Sequence, residues 1–249
     1  VAVLKDFAVR RKITFPLLSD PESAIIRRFG VLSPDYPEGD PAHGVPRPVT
    51  FITDERGVVQ SKFFEGSYQN RRTAASILAI EGDRDPAAQE LRAEHLAVWT
   101  ALSNQEAFPG NRVSLIVEID LEKGIHAYAP GSRGYRALEL RLEPQPLLAF
   151  GDTVYPPSHP YVFPPLKETV PVFEGRVRLM RDVTLAGGKE TAELLQSPDP
   201  NLTIRGELQY QVCSDRVCYP PRKLPLRWTL RVRPLERERP PEALRRQLH

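Results

Sequence analysis

LQYQVCSDRVCYPPRKLPLRWTLRV, residues 208–232, governs the reading of the C-terminal half of the chain. Leu208, Tyr210 and Val212 alternate with polar residues on one side of a cysteine pair, and Leu224, Leu226, Trp228, Leu230 and Val232 alternate on the other. Period-two alternation of this kind marks strands with one face on a core. Cys213 ends the first strand, and Cys218 stands just before Pro220-Pro221, which opens the next. If Ser214-Asp215-Arg216-Val217 forms a four-residue hairpin loop, the cysteines face each other with Cα atoms about 4.5–5.5 Å apart, a separation that suits a disulfide. Because Leu208, Tyr210 and Val212 share the core face, Cys213 leaves it and should be open to a foreign thiol.

A loop this short removes little entropy from the unfolded chain, so the bond is a poor staple compared with one that joins distant strands. Arg216, Arg222 and Lys223 favour a thiolate nearby and Asp215 opposes it, a balance that sequence leaves open. Two functional readings follow. In one, the pair is redox-active; in the other, it is a structural disulfide in a non-enzymatic protein-binding β-domain. A structural zinc site needs four ligands, and Cys213 and Cys218 have neither a second cysteine pair nor a nearby His pair, so no metal is expected. No phosphate-binding Gly-rich loop, haem motif or Gly-x-Ser-x-Gly nucleophile occurs, and no cofactor is expected.

Outward from this stretch, the same alternation recurs at Leu96, Val98, Thr100 and Leu102, at Val113 through Leu121, at Leu138, Leu140 and Leu142, at Val177 and Leu179, and at Leu202 and Ile204. Each series reads as a half-buried strand. Turn signals at Pro109-Gly110, Gly131, Gly187-Gly188 and Pro220-Pro221 separate them, so residues 95–235 are expected to form an antiparallel sandwich. Residues 82–94 read as a polar linker and residues 236–249 as a polar tail.

Residues 1–81 have a different, α/β pattern. Val3, Leu4, Phe7 and Ala8 lie at helical spacing, and Asp20 with Pro21 is a start signal for a helix running through Ile25, Ile26 and Phe29 to Gly30. A Pro- and Gly-rich loop over 33–48 leads to a hairpin, Val49–Thr53 and Val58–Phe64, turned at Asp54-Glu55-Arg56-Gly57. A last helix is expected over Tyr68–Ile80.

The charges nearly cancel, 34 Lys+Arg against 32 Asp+Glu, so no global field draws in nucleic acid or an anionic membrane. No run approaches the ~18 apolar residues of a membrane helix, and no span is expected in this chain. The chain starts at Val1 with no start methionine or signal-peptide pattern, and is therefore expected to be a piece of something longer.

FPLLSDPESAIIRRFGV (15–31) and GVPRPVTFITDERGVVQSKFF (44–64) resemble the C-terminal half of a redoxin domain, of the AhpC/TSA and thioredoxin-like superfamily. That resemblance implies that Pro48 is the cis-proline beside an active-site sulfur, where composition alone would suggest an ordinary trans proline. The family's reactive cysteine lies before the point at which this chain begins, and the chain has no cysteine ahead of Cys213.

YQVCSDRVCYPP (210–221), with KGIHAYAPG (123–131) upstream, resembles the periplasmic N-terminal domain of the thiol:disulfide interchange protein DsbD, over about residues 95–235. The resemblance implies an immunoglobulin-like sandwich after a partial thioredoxin-like fold. It also implies a periplasmic or otherwise extracytoplasmic location, a thioredoxin-like domain or protein as electron donor, and further redox-partner proteins as acceptors. Carried over residue by residue, Cys218 is the sulfur attacked in mixed disulfides and Cys213 its resolving partner. His126 and Tyr128 match side chains beside the pair, and Tyr210 and Tyr219 are further candidate neighbours. The family usually has one more residue between its cysteines. A cap loop shields its disulfide, and the counterpart falls within Phe163–Glu168.

Overall fold

The computed structural model describes residues 2–65, 71–72, 84, 88–163, 168–235 and 242. The chain divides into two compact units, Val1–Tyr68 with Leu235–His249, and Gln69–Pro234.

In the first unit, α1 spans Ala2–Arg10 and α2 spans Ala24–Arg28; β1 (Val49–Thr53) and β2 (Val59–Phe64) pair as the expected antiparallel hairpin. The hairpin turn is built by Asp54, whose Oδ1 accepts the N–H groups of Arg56 (3.0 Å) and Val58 (2.9 Å). The second helix starts later than its Asp-Pro signal suggests. Asp20 spends its carboxylate on the Ile26 N–H at 2.9 Å, and Ser23, in the left-handed region, sends its hydroxyl to the Gly44 carbonyl. No residue of α1 or α2 is buried, and Val31 is the one buried hydrophobic side chain in this unit among the described residues. Two strands offer too little surface to cover both helices, so the thioredoxin-like expectation is met only as short helices and a hairpin.

The peptide bond before Pro48 is trans, as are all others among the described residues, which corrects the cis expectation. A trans X-Pro bond is the default unless packing enforces the alternative. Here the flanking backbone is satisfied without it: the Arg47 N–H donates to Val31 O at 2.8 Å and the Pro48 carbonyl accepts the Glu65 N–H at 3.0 Å. The helix expected over Tyr68–Ile80 lies outside the described residues, apart from Arg71–Arg72, and so does the tail over 236–249 apart from Glu242.

The second unit is built of strands, in order β3 (Arg71–Arg72), β4 (Gln89–Ala93), β5 (Leu96–Leu102), β6 (Glu106–Ala107), β7 (Asn111–Leu121), β8 (His126–Tyr128), β9 (Glu139–Leu142), β10 (Leu148–Val154), β11 (His159–Phe163), β12 (Glu168–Glu174) and β13 (Arg176–Leu185). A short helix, α3 (Lys189–Gln196), precedes β14 (Asn201–Tyr210), β15 (Val212–Cys213) and β16 (Arg222–Val232). One sheet has the order β10-β13-β7-β5-β4, with β3 pairing β7; a second runs β6-β16-β14-β9, and a third β11-β12-β8-β15. The stretch read as a linker therefore contributes β4, whose Gln89–Ala93 pair with β5.

The main core lies between these sheets. Val98, Leu115, Val117, Ile119 and Leu179 of the first meet Ile204, Leu208, Leu226, Trp228 and Leu230 of the second, with Ala127, Phe173 and Val212 of the third. Gly206, in an inner strand of the second sheet, has no room for a side chain, since a Cβ there would lie 2.5 Å from the Arg141 carbonyl oxygen.

Alternation predicts a half-buried β7, yet both its faces are covered. Its outward Glu118 is 2 % exposed, and its Oε2 accepts Arg84 Nε at 3.0 Å and Arg176 Nη2 at 2.6 Å, while Oε1 lies 3.3 Å from Arg178 Nη2. Arg84 also lies over the Trp99 ring at 3.5 Å and bonds Asp120 at 2.8 Å. Three guanidinium groups and a ring thus roof a carboxylate that pattern alone would leave in water.

Candidate functional site

The alternation through residues 208–213 hides a change of sheet. β14 ends at Tyr210, β15 begins at Val212, and Gln211 between them carries the chain from the second sheet to the third. β15 pairs with β8, Val212 opposite Ala127 and Cys213 opposite His126. Beyond Cys213 the chain turns as expected over Ser214–Val217. The Ser214 N–H donates to Val217 O at 2.8 Å, the Tyr219 N–H donates to Val212 O at 3.0 Å, and Ser214 Oγ accepts the N–H groups of Arg216 and Val217. Cys213 and Cys218 lie between those two hydrogen-bonded pairs, in the position where side chains on opposed strands approach most closely. Their Cα atoms are 4.1 Å apart and the sulfurs are joined.

The two ends of this disulfide differ. Cys213 is 1 % exposed, which corrects the expectation that its sulfur is open, whereas Cys218 is exposed. Cys213 does leave the main core, as its alternation requires, but it enters a second, smaller cluster with Tyr128, Val170 and Val172. Strand register explains that cluster: Val172 lies opposite Tyr128, Glu174 opposite His126, and Tyr161 opposite Val170, so these side chains share the face on which Cys213 projects.

Tyr128 is the centre of the cluster. Its hydroxyl donates toward Cys213 Sγ at 3.1 Å and Cys218 Sγ at 3.5 Å, since disulfide sulfurs carry no proton. Burial first, then the nearby Tyr135, Tyr161 and Glu168, push its pKa up from 10.0 to about 12, so the hydroxyl keeps its proton at neutral pH. His126 is buried too, its ring 4.2 Å from that of Tyr161 with the planes inclined by 32°, and edge-on to Tyr128 at 5.7 Å. Burial lowers its pKa, partly offset by Glu174, so the ring is neutral at pH 7. Both residues leave the main core face as expected, but neither is a surface residue.

Because the folded pKa of Tyr128 lies above the unfolded one, its contribution to stability is complete below pH 10 and lost as pH rises through about 12. That difference corresponds to roughly 2–3 kcal/mol. Denaturant unfolding at stepped alkaline pH should show the loss, and Tyr128→Phe should flatten the slope; an equally steep slope in that variant would contradict the assignment.

The other candidate neighbours turn away. Tyr210 is buried in the main core, and Tyr219 packs on its margin with its ring 4.0 Å from that of His95. Arg216, Arg222 and Lys223, the cations that were to favour a thiolate, pair instead with Asp215 (3.7 Å), Glu94 (2.7 Å) and Glu207 (3.1 Å). Of the cap-loop expectation, residues 164–167 lie outside the described residues, while Glu168 accepts the Tyr135 hydroxyl at 3.0 Å. Tyr135, Tyr161 and Gln211 were not singled out from sequence. Tyr135 had one signal, an aromatic side chain in a glycine-bounded loop, Gly131-Ser132-Arg133-Gly134-Tyr135. Among the described residues no group of three or more His, Cys, Asp or Glu side chains is placed to hold a metal, and no helix is long and apolar enough to cross a membrane.

Comparison with known proteins bears on this site. Among curated proteins none matches the sequence. Of solved structures, the N-terminal periplasmic domain of ScsB from Proteus mirabilis is 14 % identical with a TM-score of 0.40, covering 55 % of this chain and 49 % of that one. The reduced DsbD N-terminal domain of Neisseria meningitidis is 17 % identical with a TM-score of 0.32, covering 47 % of this chain and 76 % of that one. The chain thus spans about half the length of the ScsB chain it matches. The AhpC/TSA family profile matches residues 1–62. The profile of the thiol:disulfide interchange protein DsbD, N-terminal, matches residues 93–225, just over half of the chain. This chain belongs to the DsbD N-terminal domain family.

Proposed function

We propose that the second unit is a thiol–disulfide exchange module that passes two electrons from a thioredoxin-like donor to an extracytoplasmic acceptor through Cys213 and Cys218. The observation that carries this reading is the asymmetry of the bond, one cysteine sealed beside a tyrosine hydroxyl and the other exposed. Exchange needs in-line attack by a thiolate, and exposure admits it at Cys218 alone.

In the reductive step the donor thiolate attacks Cys218 Sγ, the Cys213–Cys218 bond breaks, and Cys213 leaves as a thiolate. Tyr128 lies where that charge develops, its hydroxyl 3.1 Å from Cys213 Sγ, and a protonated phenol stabilises a leaving thiolate by donating to it. The donor's second thiol then attacks its own sulfur in the mixed disulfide and releases Cys218, leaving a dithiol here and a disulfide on the donor. In the oxidative step Cys218 attacks the acceptor disulfide, Cys213 resolves the mixed disulfide, and the pair closes again while the acceptor departs as a dithiol.

A disulfide of this kind persists in oxidising compartments, which supports a periplasmic or otherwise extracytoplasmic location. The family match supports an immunoglobulin-like sandwich as the carrier of the hairpin, and thioredoxin-like proteins as partners. The AhpC/TSA family match over residues 1–62 supports a thioredoxin-like domain or protein as the donor.

Single-turnover mixing with a reduced thioredoxin-like protein tests the reading. Two titratable thiols should appear per chain as the donor is oxidised in equal amount; a donor that stays reduced while the disulfide persists would overturn it.

A further inference from the structure

The loop between β8 and β9 covers the cluster around Cys213, and its attachments lead back to the cysteine hairpin. Tyr135 stacks on Tyr128 with ring centroids 4.2 Å apart and planes inclined by 15°. Two latches hold that loop. The Tyr135 hydroxyl donates to Glu168 Oε2 at 3.0 Å, and the Arg136 N–H donates to Gln211 Oε1 at 3.0 Å. Gln211 is the residue at which the chain changes sheets, and its Nε2 donates to the Tyr219 carbonyl at 3.2 Å, one residue beyond Cys218. The base of the loop is pinned separately, by Ser132 Oγ donating to Ala129 O and Pro171 O.

A single side chain amide therefore splints the backbone of the covering loop to the backbone of the reactive hairpin. The ring that this loop carries backs the very tyrosine whose hydroxyl touches both sulfurs. Tyr135 thus covers one face of the Tyr128 ring.

We infer that Tyr135 and Gln211 are positioning residues that act through Tyr128: they hold the Cys213 side of the disulfide shut, so that every incoming thiolate is directed to Cys218. This rests on the reading of Cys218 as the attacked sulfur, and it assigns the selectivity between the two sulfurs to specific groups. Exposure of Cys213 is set by Tyr128, the orientation of Tyr128 by the stacked ring of Tyr135, and the seat of Tyr135 chiefly by Gln211, the Glu168 bond adding little.

The test uses the whole chain with Cys218→Ser, which leaves Cys213 as the one thiol, and follows alkylation by iodoacetamide across pH. The plateau rate reports access to Cys213, and the midpoint reports the hydrogen bond its thiolate receives. Tyr135→Ala and Gln211→Ala are each expected to raise the plateau at least about fivefold and to move the midpoint upward. Tyr135→Phe, which keeps the stack and loses only the Glu168 bond, should stay within about twofold of its parent. In the companion Cys213→Ser background the same substitutions should leave alkylation of Cys218 within about twofold, which separates loss of cover from general loosening. Plateau rates at Cys213 that do not change, or that rise equally at Cys218, would overturn the inference. No redox partner enters the assay, so that result would leave the exchange function itself standing.

Discussion

Replacing Cys213 by serine should convert a transient mixed disulfide into a stable one. Cys218 is exposed and remains able to attack a disulfide on a partner, and against a partner that lacks its own second cysteine the adduct contains no thiolate to resolve it. Its lifetime should lengthen by on the order of 100-fold or more, limited by external thiol. The reciprocal variant, Cys218→Ser, should form almost no adduct, because the remaining sulfur is 1 % exposed behind Tyr128. Incubation with a thioredoxin-like protein that lacks its second cysteine and carries its first as a mixed disulfide with a small aromatic thiol, followed by non-reducing electrophoresis and mass mapping of the cross-linked peptide, reads both outcomes. Equal trapping by the two variants would mean that burial does not select the attacked sulfur.

The second large effect concerns the scaffold. Glu118→Ala removes the carboxylate on which Arg84, Arg176 and Arg178 converge and leaves three like charges facing one another on a covered sheet face. Breaking a buried ion pair from one side costs about 3–5 kcal/mol. Arg176 is half exposed, so part of its charge is already screened, and the lower end of that range applies. For a unit of this size the midpoint of thermal unfolding should fall by roughly 6–12 °C. Glu118→Gln, which keeps an acceptor while losing the charge, should fall less. A loss below about 1 kcal/mol in denaturant titrations of Glu118→Ala would show that the roof contributes no stability.

Much of the sandwich was legible because alternation is a local signal. Leu96–Leu102, Asn111–Leu121 and Arg222–Val232 are strands where the pattern placed them, and the cysteine spacing located the hairpin. What escaped depends on neighbours distant in sequence. Nothing in the alternation of Glu118 shows that Arg84 and Arg176 will cover it. Val212 continues the pattern of Tyr210 without a break, so the change of sheet at Gln211 leaves no trace in hydrophobicity. The direction of His126 and Tyr128 follows from Ile125 and Ala127, whereas their burial follows from Val170, Val172 and Tyr161 on β11 and β12. Tyr135 sits in a loop, where no period exists to place it. Pro48 illustrates the opposite hazard, a geometry borrowed from a resemblance that the local hydrogen bonding does not support.

A reactive exchange pair and an inert structural bond differ most plainly in reduction potential, which equilibration in graded glutathione or thioredoxin buffers measures. Cys213 and Cys218 should equilibrate with thioredoxin-like partners at roughly −200 to −270 mV. A potential below about −300 mV, with the disulfide untouched by those partners, would contradict it and leave the hairpin bond as a staple.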